Sequence, residues 1–118
     1  MGKNTENKPF FITTAIDYVN AAPHVGHAVE KVLTDVIARY AKQSRPTYFL
    51  TGSDENSLKN VQAAEKAGRP TGEFVAENAE AFKALAQSLD LSFDQFIRTT
   101  EERHFVGAQK MWSAFNPE

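Results

Sequence analysis

The chain has 118 residues, and its 42% hydrophobic and 24% charged fractions are those of an ordinary globular domain rather than a disordered chain. It has no cysteine, which excludes disulfides and thiolate zinc sites, and its formal net charge of -2 excludes an overall basic surface for nucleic acid. No apolar run approaches the roughly 20 residues that span a bilayer, so we expect one soluble, cytoplasmic domain with no membrane contact. Residues 1–8, MGKNTENK, lack the apolar segment of a secretory signal and indicate a flexible N-terminal extension.

Two periods of apolar residues alternate along the chain, starting with a strand and a helix. Residues 10–16, FFITTAI, are mostly aromatic or β-branched, which predicts a buried strand. From His27 the apolar residues recur at helical spacing and share one face of the predicted helix. That face carries Val29, Val32, Leu33, Val36, Ile37 and Tyr40.

A second strand and a second helix follow an interruption at the tripeptide SRP. Residues 47–51, TYFLT, have the profile of a strand, and Gly52 is predicted to end it. A helix is predicted over residues 53–67, where Gly68 and Pro70 form a helix stop.

The remaining elements are a third helix, a short strand and a last helix. Thr71 opens the third helix, residues 95–99 form the strand, and residues 101–114 form the last helix. Thr99, with Glu102 three residues later, has the form of a capping box for that helix. Strands separated by helices predict an α/β fold, with a parallel sheet of about three strands and helices on its faces. The apolar face of the third helix comprises Phe74, Val75, Phe82, Leu85, Ala86 and Leu89.

The turn between the first strand and the first helix, AAPHVGHAVEK, contains two histidines around a glycine. In parallel sheets, ligands bind at the carboxyl ends of the strands, where such turns lie. The free N–H groups and the dipole of a helix N-terminus suit a phosphate, and the imidazoles of His24 and His27 can add hydrogen bonds to it. Gly26 has no Cβ, so a flat base can lie against its backbone. The turn therefore predicts a nucleotide site.

Two other interpretations of these histidines stay open. A histidine in a loop is more often a solvated residue or a partner of the helix end than a functional group. Zinc binding by the pair is disfavoured, because His104 is the one further histidine and no cysteine is present to complete the site.

Three segments, in the same order, resemble one family of enzymes. They are FFITTAIDYVNAAPHVGHA near the N-terminus, YFLTGSDEN at residues 48–56 and DQFIRTTEERH at residues 94–104. All three are similar to segments of the methionyl-tRNA synthetases, which are class I aminoacyl-tRNA synthetases. The resemblance implies that residues 9–118 form the N-terminal half of a Rossmann-like, nucleotide-binding catalytic domain. The function it implies, for the intact enzyme, is ATP-dependent activation of methionine to the adenylate for transfer to tRNA.

The resemblance implies that the histidine turn holds ATP, which binds with Mg2+ as a substrate. His24 and His27 match the two catalytic histidines of the family's ATP-binding signature, and Gly26 matches the glycine on which adenine rests. The expected ligands are therefore ATP with Mg2+ and methionine or a similar amino acid. No zinc is expected in this chain.

Three further residues match family positions that contact methionine. Ile16 and Tyr18 match residues that line the methionine pocket, and Asp54 matches the carboxylate that holds the ammonium group. A carboxylate at the end of a strand suits a cation, while the pocket walls stay apolar. Without the resemblance, Ile16 is expected in the core, Tyr18 is explained equally well as an amphipathic residue at the rim of the core, and Asp54 equally well as a helix N-cap.

The sequence also departs from the family pattern. Asp17 places an extra carboxylate beside the amino-acid pocket, and Asn56 and Ser57 stand where members commonly carry His-Gly, so both departures bear on amino-acid specificity. Lys110 and Met111 lie in an amphipathic helix and do not form the family's Lys-Met-Ser-Lys-Ser loop, which belongs to the second half of the fold. Contacts with tRNA are expected through domains outside this chain.

Half of such a fold exposes the sheet edge and the helix faces that pack on the other half. We therefore expect the chain to form a homo-oligomer or to pair with a partner chain. The alternative function is a short, non-catalytic homologue that binds a nucleotide or an amino acid. A nucleotidyltransferase of another kind shares the histidine motif, but the segments TGSDEN and FIRTTEERH argue against it.

Overall fold

The computed structural model describes residues 8–115. Residues 1–7, where most of the N-terminal extension is expected, and residues 116–118 lie outside the described part. The elements follow the predicted order with one additional short strand. They are β1 (Phe10–Thr13), β2 (Asp17–Tyr18), α1 (Val25–Lys42), β3 (Thr47–Asp54), α2 (Leu58–Lys66), α3 (Thr71–Ser88), β4 (Gln95–Arg98) and α4 (Glu102–Phe115).

The sheet is parallel, with β3 at its centre. Leu50 of β3 pairs with both β1 and β4, and Ser53 of β3 pairs with both β2 and β4. β1 and β2 therefore lie on one side of β3, and β4 lies on the other. The described sheet is therefore three strands wide and flanked by helices. This confirms the predicted α/β architecture.

The first predicted strand, residues 10–16, ends at Thr13, and a bulge separates it from β2, which lies beyond the predicted range. Between β1 and β2, the three residues 14–16 lie opposite only two residues of β3, 51–52. This segment therefore carries one extra residue relative to β3. Such an insertion bends the strand and re-aims its side chains. The prediction of a buried strand is wrong, because none of the four residues of β1 is buried. Phe11 is 62% exposed at the sheet edge, where its ring stacks on Tyr48.

β3 continues past Gly52 to Asp54, so the prediction that Gly52 ends the strand is wrong. The reason is the close approach of β4, because a Cβ placed at Gly52 would lie 2.1 Å from the backbone oxygen of Ile97. Glycine inside a strand often marks such an approach of another backbone. Consequently α2 begins at Leu58 rather than at Ser53.

The apolar residues of α1 share one face, but that face does not cover the sheet. Their exposed fractions run from 38% at Val32 to 75% at Tyr40. The side chains that α1 buries are instead Lys31, Asp35, Ala38 and Ala41. The α1 apolar face, as we call this exposed surface, comprises Val29, Val32, Leu33, Val36, Ile37 and Tyr40.

The hydrophobic core lies between α3 and the sheet. Val19, which follows β2, packs with Val75, Ala79 and Phe82 of α3, and none of the four is more than 4% exposed. The predicted apolar face of α3 is confirmed except at its end, where Leu89 is 36% exposed. This core supports the segment that leads from β2 into the histidine turn.

Thr99 does not cap α4, which begins at Glu102. The Thr99 side chain is buried, and its hydroxyl accepts a hydrogen bond from the backbone N–H of Glu55 at 2.8 Å. The capping-box prediction is therefore wrong, because Thr99 joins the ends of β3 and β4 instead.

Candidate functional site

The histidine turn caps α1 through two reciprocal hydrogen bonds. The backbone N–H of Gly26 donates to Nδ1 of His24 at 3.1 Å, and the backbone N–H of His24 donates to Nδ1 of His27 at 3.1 Å. His24 is the N-cap residue and has extended backbone. The two imidazoles thus do what Ser and Glu side chains do in a capping box. This arrangement confirms that both histidines lie at the N-terminus of the helix.

These hydrogen bonds select one tautomer of each ring. Because both Nδ1 atoms accept, a neutral imidazole at His24 or His27 carries its proton on Nε2. The two ring centroids are 3.9 Å apart, and the His27 ring lies edge-on to Phe82 at 4.9 Å. The turn therefore holds two Nε2–H donors together at the positive end of the α1 dipole.

Gly26 is exposed and lies beside the ring of His24. A Cβ at this position would lie 2.9 Å from Cε1 and 3.0 Å from Nδ1 of that ring. A larger residue would displace the imidazole, since such distances are closer than real contacts. Glycine is therefore needed for the position of His24, a reason that the sequence alone does not reveal.

A pocket beside β2 and the histidine turn brings the predicted ATP-binding histidines together with two of the predicted methionine-binding residues. Ile16 and Tyr18 line it with His24 and His27. Ile16 and Tyr18 are each 45% exposed, so the interpretation of Ile16 as a core residue is wrong. The ammonium of Lys59 lies 5.3 Å from the centroid of the Tyr18 ring. The remaining lining residues are Asp17, Asn20, Ala21 and Ala22.

Asp54 lies at the end of β3, where it pairs with Tyr18 of β2. Its Oδ1 accepts a hydrogen bond from the backbone N–H of Asn56 at 3.2 Å. Asp54 is not a helix N-cap, because Ser57 caps α2 and its hydroxyl accepts from the N–H of Asn60 at 3.3 Å. The Asn56 side chain also donates from Nδ2 to the Thr99 oxygen at 3.2 Å. The two departures from the family pattern, Asn56 and Ser57, thus hold the segment that follows Asp54.

An ion pair that the sequence pattern did not predict joins Asp17 of the pocket wall to Lys31 of α1. The ammonium of Lys31 donates to Oδ2 of Asp17, and the exposed fractions of the two residues are 0% and 9%. Oδ1 of Asp17 lies 3.8 Å from Nε2 of His27. Asp17 is therefore not an unbalanced carboxylate. The sequence signal that could have indicated this pair is the spacing of four residues between His27 and Lys31, which puts both side chains on one side of the helix.

A second buried carboxylate, Glu55, joins the ends of β3 and β4. It accepts hydrogen bonds from Nε of Arg98 at 2.6 Å, from the hydroxyl of Thr100 at 2.5 Å and from that of Ser53 at 3.0 Å. Burial acts to raise the pKa of Glu55, but the hydrogen bonds from Arg98, Thr100 and Ser53 outweigh it and hold that pKa below its ordinary value. The cluster fixes the strand ends beside Asp54.

The third histidine lies away from the pocket. His104 is on α4, with its ring centroid 6.3 Å from that of Phe105. Within residues 8–115, no group of three or more His, Cys, Asp or Glu side chains is arranged to hold a metal ion. In the same part of the chain, none of the helices combines the length and hydropathy needed to cross a membrane.

Comparison with known proteins identifies the family. Residues 10–118 match the family model described as tRNA synthetases class I (M). The chain belongs to this family. The resemblance drawn from the three sequence segments is thereby confirmed.

Relatives in the class I (M) family share almost half of the aligned residues. The methionine–tRNA ligase of Mycobacterium leprae is 48% identical over 106 residues, which are 89% of this chain and 20% of that protein. The ligase of Rhizobium meliloti is 45% identical over 108 residues, which are 91% of this chain and 21% of that protein.

The fold is also that of a solved synthetase. The crystal structure of Mycobacterium tuberculosis methionyl-tRNA synthetase bound by methionyl-adenylate matches with a TM-score of 0.86 at 47% identity, over 89% of this chain and 21% of that one. The predicted Rossmann-like class I fold is therefore confirmed. The chain spans about a fifth of the length of these relatives.

Proposed function

We propose that the chain supplies one wall of a methionyl-tRNA synthetase active site, with the ATP site and part of the methionine pocket. In the reaction, a carboxylate oxygen of methionine bonds to the α-phosphorus of ATP, pyrophosphate leaves, and the adenylate then transfers methionine to tRNA. The observation that carries the proposal is the one pocket shared by His24, His27, Ile16 and Tyr18. Contacts with tRNA are assigned to parts of the enzyme outside this chain.

The histidine turn is proposed to bind ATP with its Mg2+. The Nε2–H groups of His24 and His27 lie together at the N-terminus of α1, where negative charge is favoured. Donors held in place before the reaction stabilise the charge that grows on the phosphates in the transition state. Gly26, exposed and without a side chain, is proposed to contact the adenine. The relative whose structure contains methionyl-adenylate supports this assignment.

The end of β2 is proposed to bind methionine. The half-exposed side chains of Ile16 and Tyr18 offer apolar surface to its thioether chain. Asp54 is the neighbour of Tyr18 across the sheet, and its carboxylate is proposed to pair with the ammonium group. Asp17 adds no unbalanced charge here, because Lys31 pairs with it. This balance supports methionine rather than a cationic amino acid as the substrate.

The test is ATP–pyrophosphate exchange by the enzyme in which the chain forms this wall, measured with methionine and then with other amino acids. Exchange that depends on methionine supports the proposal. The His27→Asn variant should then lose about a hundredfold in rate, because asparagine keeps an acceptor for the His24 N–H but lacks the Nε2–H donor. His104→Asn, on α4, is the matched control and should keep the wild-type rate.

The other outcomes separate the alternative functions. Binding of ATP and methionine without exchange identifies a non-catalytic binding module. Nucleotidyl transfer that needs no amino acid identifies a nucleotidyltransferase of another kind. A chain that shows neither binding nor exchange refutes the proposed site.

We also propose that the chain associates with a second copy of itself through the α1 apolar face. Six apolar side chains are exposed on this one helix face, which is the kind of surface that proteins cover. Size-exclusion chromatography with light scattering should show association that increases with concentration. Leu33→Lys should weaken it, whereas Leu58→Lys, at an exposed position of α2, should not. A clean monomer at high concentration contradicts the proposal.

A further inference from the structure

A buried pair of opposite charges lies at the pocket wall, on residues that the proposed reaction does not use to hold ATP. Lys31 of α1 is fully buried, and Asp17 of β2 is 9% exposed. The Lys31 ammonium donates to Oδ2 of Asp17 and lies 5.9 Å from the centroid of the Phe82 ring. Each charge is therefore balanced by the other rather than by water.

The pair lies directly beside His27. Asp17 lines the pocket, and its Oδ1 is 3.8 Å from Nε2 of His27. Lys31 follows His27 by about one turn of α1, and the His27 ring and the Lys31 ammonium both lie against Phe82. The other titratable groups that line the pocket are Tyr18, His24 and Lys59.

Stability alone does not account for this pair. Removing two charges from water costs about as much free energy as their attraction returns, and apolar residues of similar size often replace such pairs without loss. The pair does control the charge of the pocket wall. An unbalanced Asp17 would place a negative charge next to the Nε2 atom proposed to donate to phosphate, and it would repel ATP.

We propose that Lys31 is a positioning residue of the nucleotide site: it neutralises Asp17, so that the pocket wall beside His27 does not repel the phosphates of ATP. This inference rests on the proposed binding of ATP. Because Lys31 acts through Asp17, its effect depends on the charge of the ligand. Adenosine, which has the base and ribose of ATP without the phosphates, is the neutral probe.

The test is titration of the wild-type chain and three variants with ATP and with adenosine, followed by NMR. Lys31→Met leaves Asp17 unbalanced, so ATP affinity should fall about tenfold while adenosine affinity stays the same. Asp17→Asn leaves Lys31 unbalanced, so ATP affinity should rise, again with no change for adenosine. The variant that carries both substitutions has a neutral pair of similar size and should bind ATP within about threefold of wild type.

The outcomes distinguish a charge effect from a distorted pocket. The inference is supported if the affinity for ATP changes in opposite directions in the two single variants while the affinity for adenosine does not change. If one single variant does not fold, the direction of the change in ATP affinity of the other decides. Equal changes for ATP and adenosine overturn the inference and leave the proposed function standing. If neither single variant folds while the double variant does, the pair serves folding and the inference is also overturned. A wild-type chain that binds neither ligand overturns the proposed ATP site as well.

Discussion

Replacing Gly52 with alanine tests how closely β3 and β4 approach each other. The new Cβ would lie 2.1 Å from the backbone oxygen of Ile97, whereas ordinary contacts begin near 3.4 Å. Because the nearest atom belongs to the backbone, the strands must separate by about 1 Å to remove the overlap. That movement would break the hydrogen bond from the Thr99 N–H to the Ser53 oxygen, which is 3.2 Å long. We expect the free energy of unfolding to fall by about 3 kcal/mol or more.

Urea denaturation, followed by circular dichroism, measures this loss. Gly72→Ala, in the first turn of α3, is the matched control, because a Cβ there meets no atom within 4 Å. The control should leave stability unchanged or raise it by up to about 1 kcal/mol. Gly52→Ala should unfold at a lower urea concentration with a similar m-value. A midpoint equal to that of wild type refutes the close approach of the two strands.

Three further predictions concern the residues around the site. The pKa of Glu55 in the folded chain lies below its ordinary value of 4.5, so its bonds to Arg98 stabilise the fold fully above that pH and lose effect as the pH falls through the folded pKa. Acid denaturation of Glu55→Gln should therefore show a weaker pH dependence than wild type, and parallel curves would contradict this. Ser57→Ala should lower the free energy of unfolding by about 1 kcal/mol in urea, while Ser57→Thr keeps most of the α2 cap. Gly26→Ala should displace the His24 ring and weaken ATP binding measured by calorimetry with little change in melting temperature, and unchanged affinity would argue against the proposed role of this turn.

The order of the elements could be predicted from the sequence, because each element has its own period of apolar residues. The α1 apolar face shows the limit of that argument. Periodicity identifies the face, but Leu33 is 61% exposed, because the side chains that α1 buries include Ala38 and Ala41 instead. The end of β3 was missed for another reason. Glycine often ends a strand, and β3 continues through Gly52 because Ile97 of β4, far away in sequence, lies against it.

The candidate site could be predicted in part. The segment around His24 and His27 identified the turn, since a histidine motif between a strand and a helix has a local signature. The Nε2–H tautomers could not be deduced, because they depend on backbone hydrogen bonds within the turn. Lys31 was missed because a lysine within a helix is usually solvated. Its burial depends on Asp17, which the bulge between β1 and β2 places beside it.

Titration of ATP into the nitrogen-15-labelled chain, resolved residue by residue by NMR, decides whether the histidine turn binds the nucleotide. We predict saturable shifts at the backbone amides of His24, Gly26 and His27 and at the Nε2 resonances of both imidazoles, with no shift at the His104 ring on α4. Absence of saturable shifts, or shifts confined to residues outside the histidine turn, would contradict the proposed site.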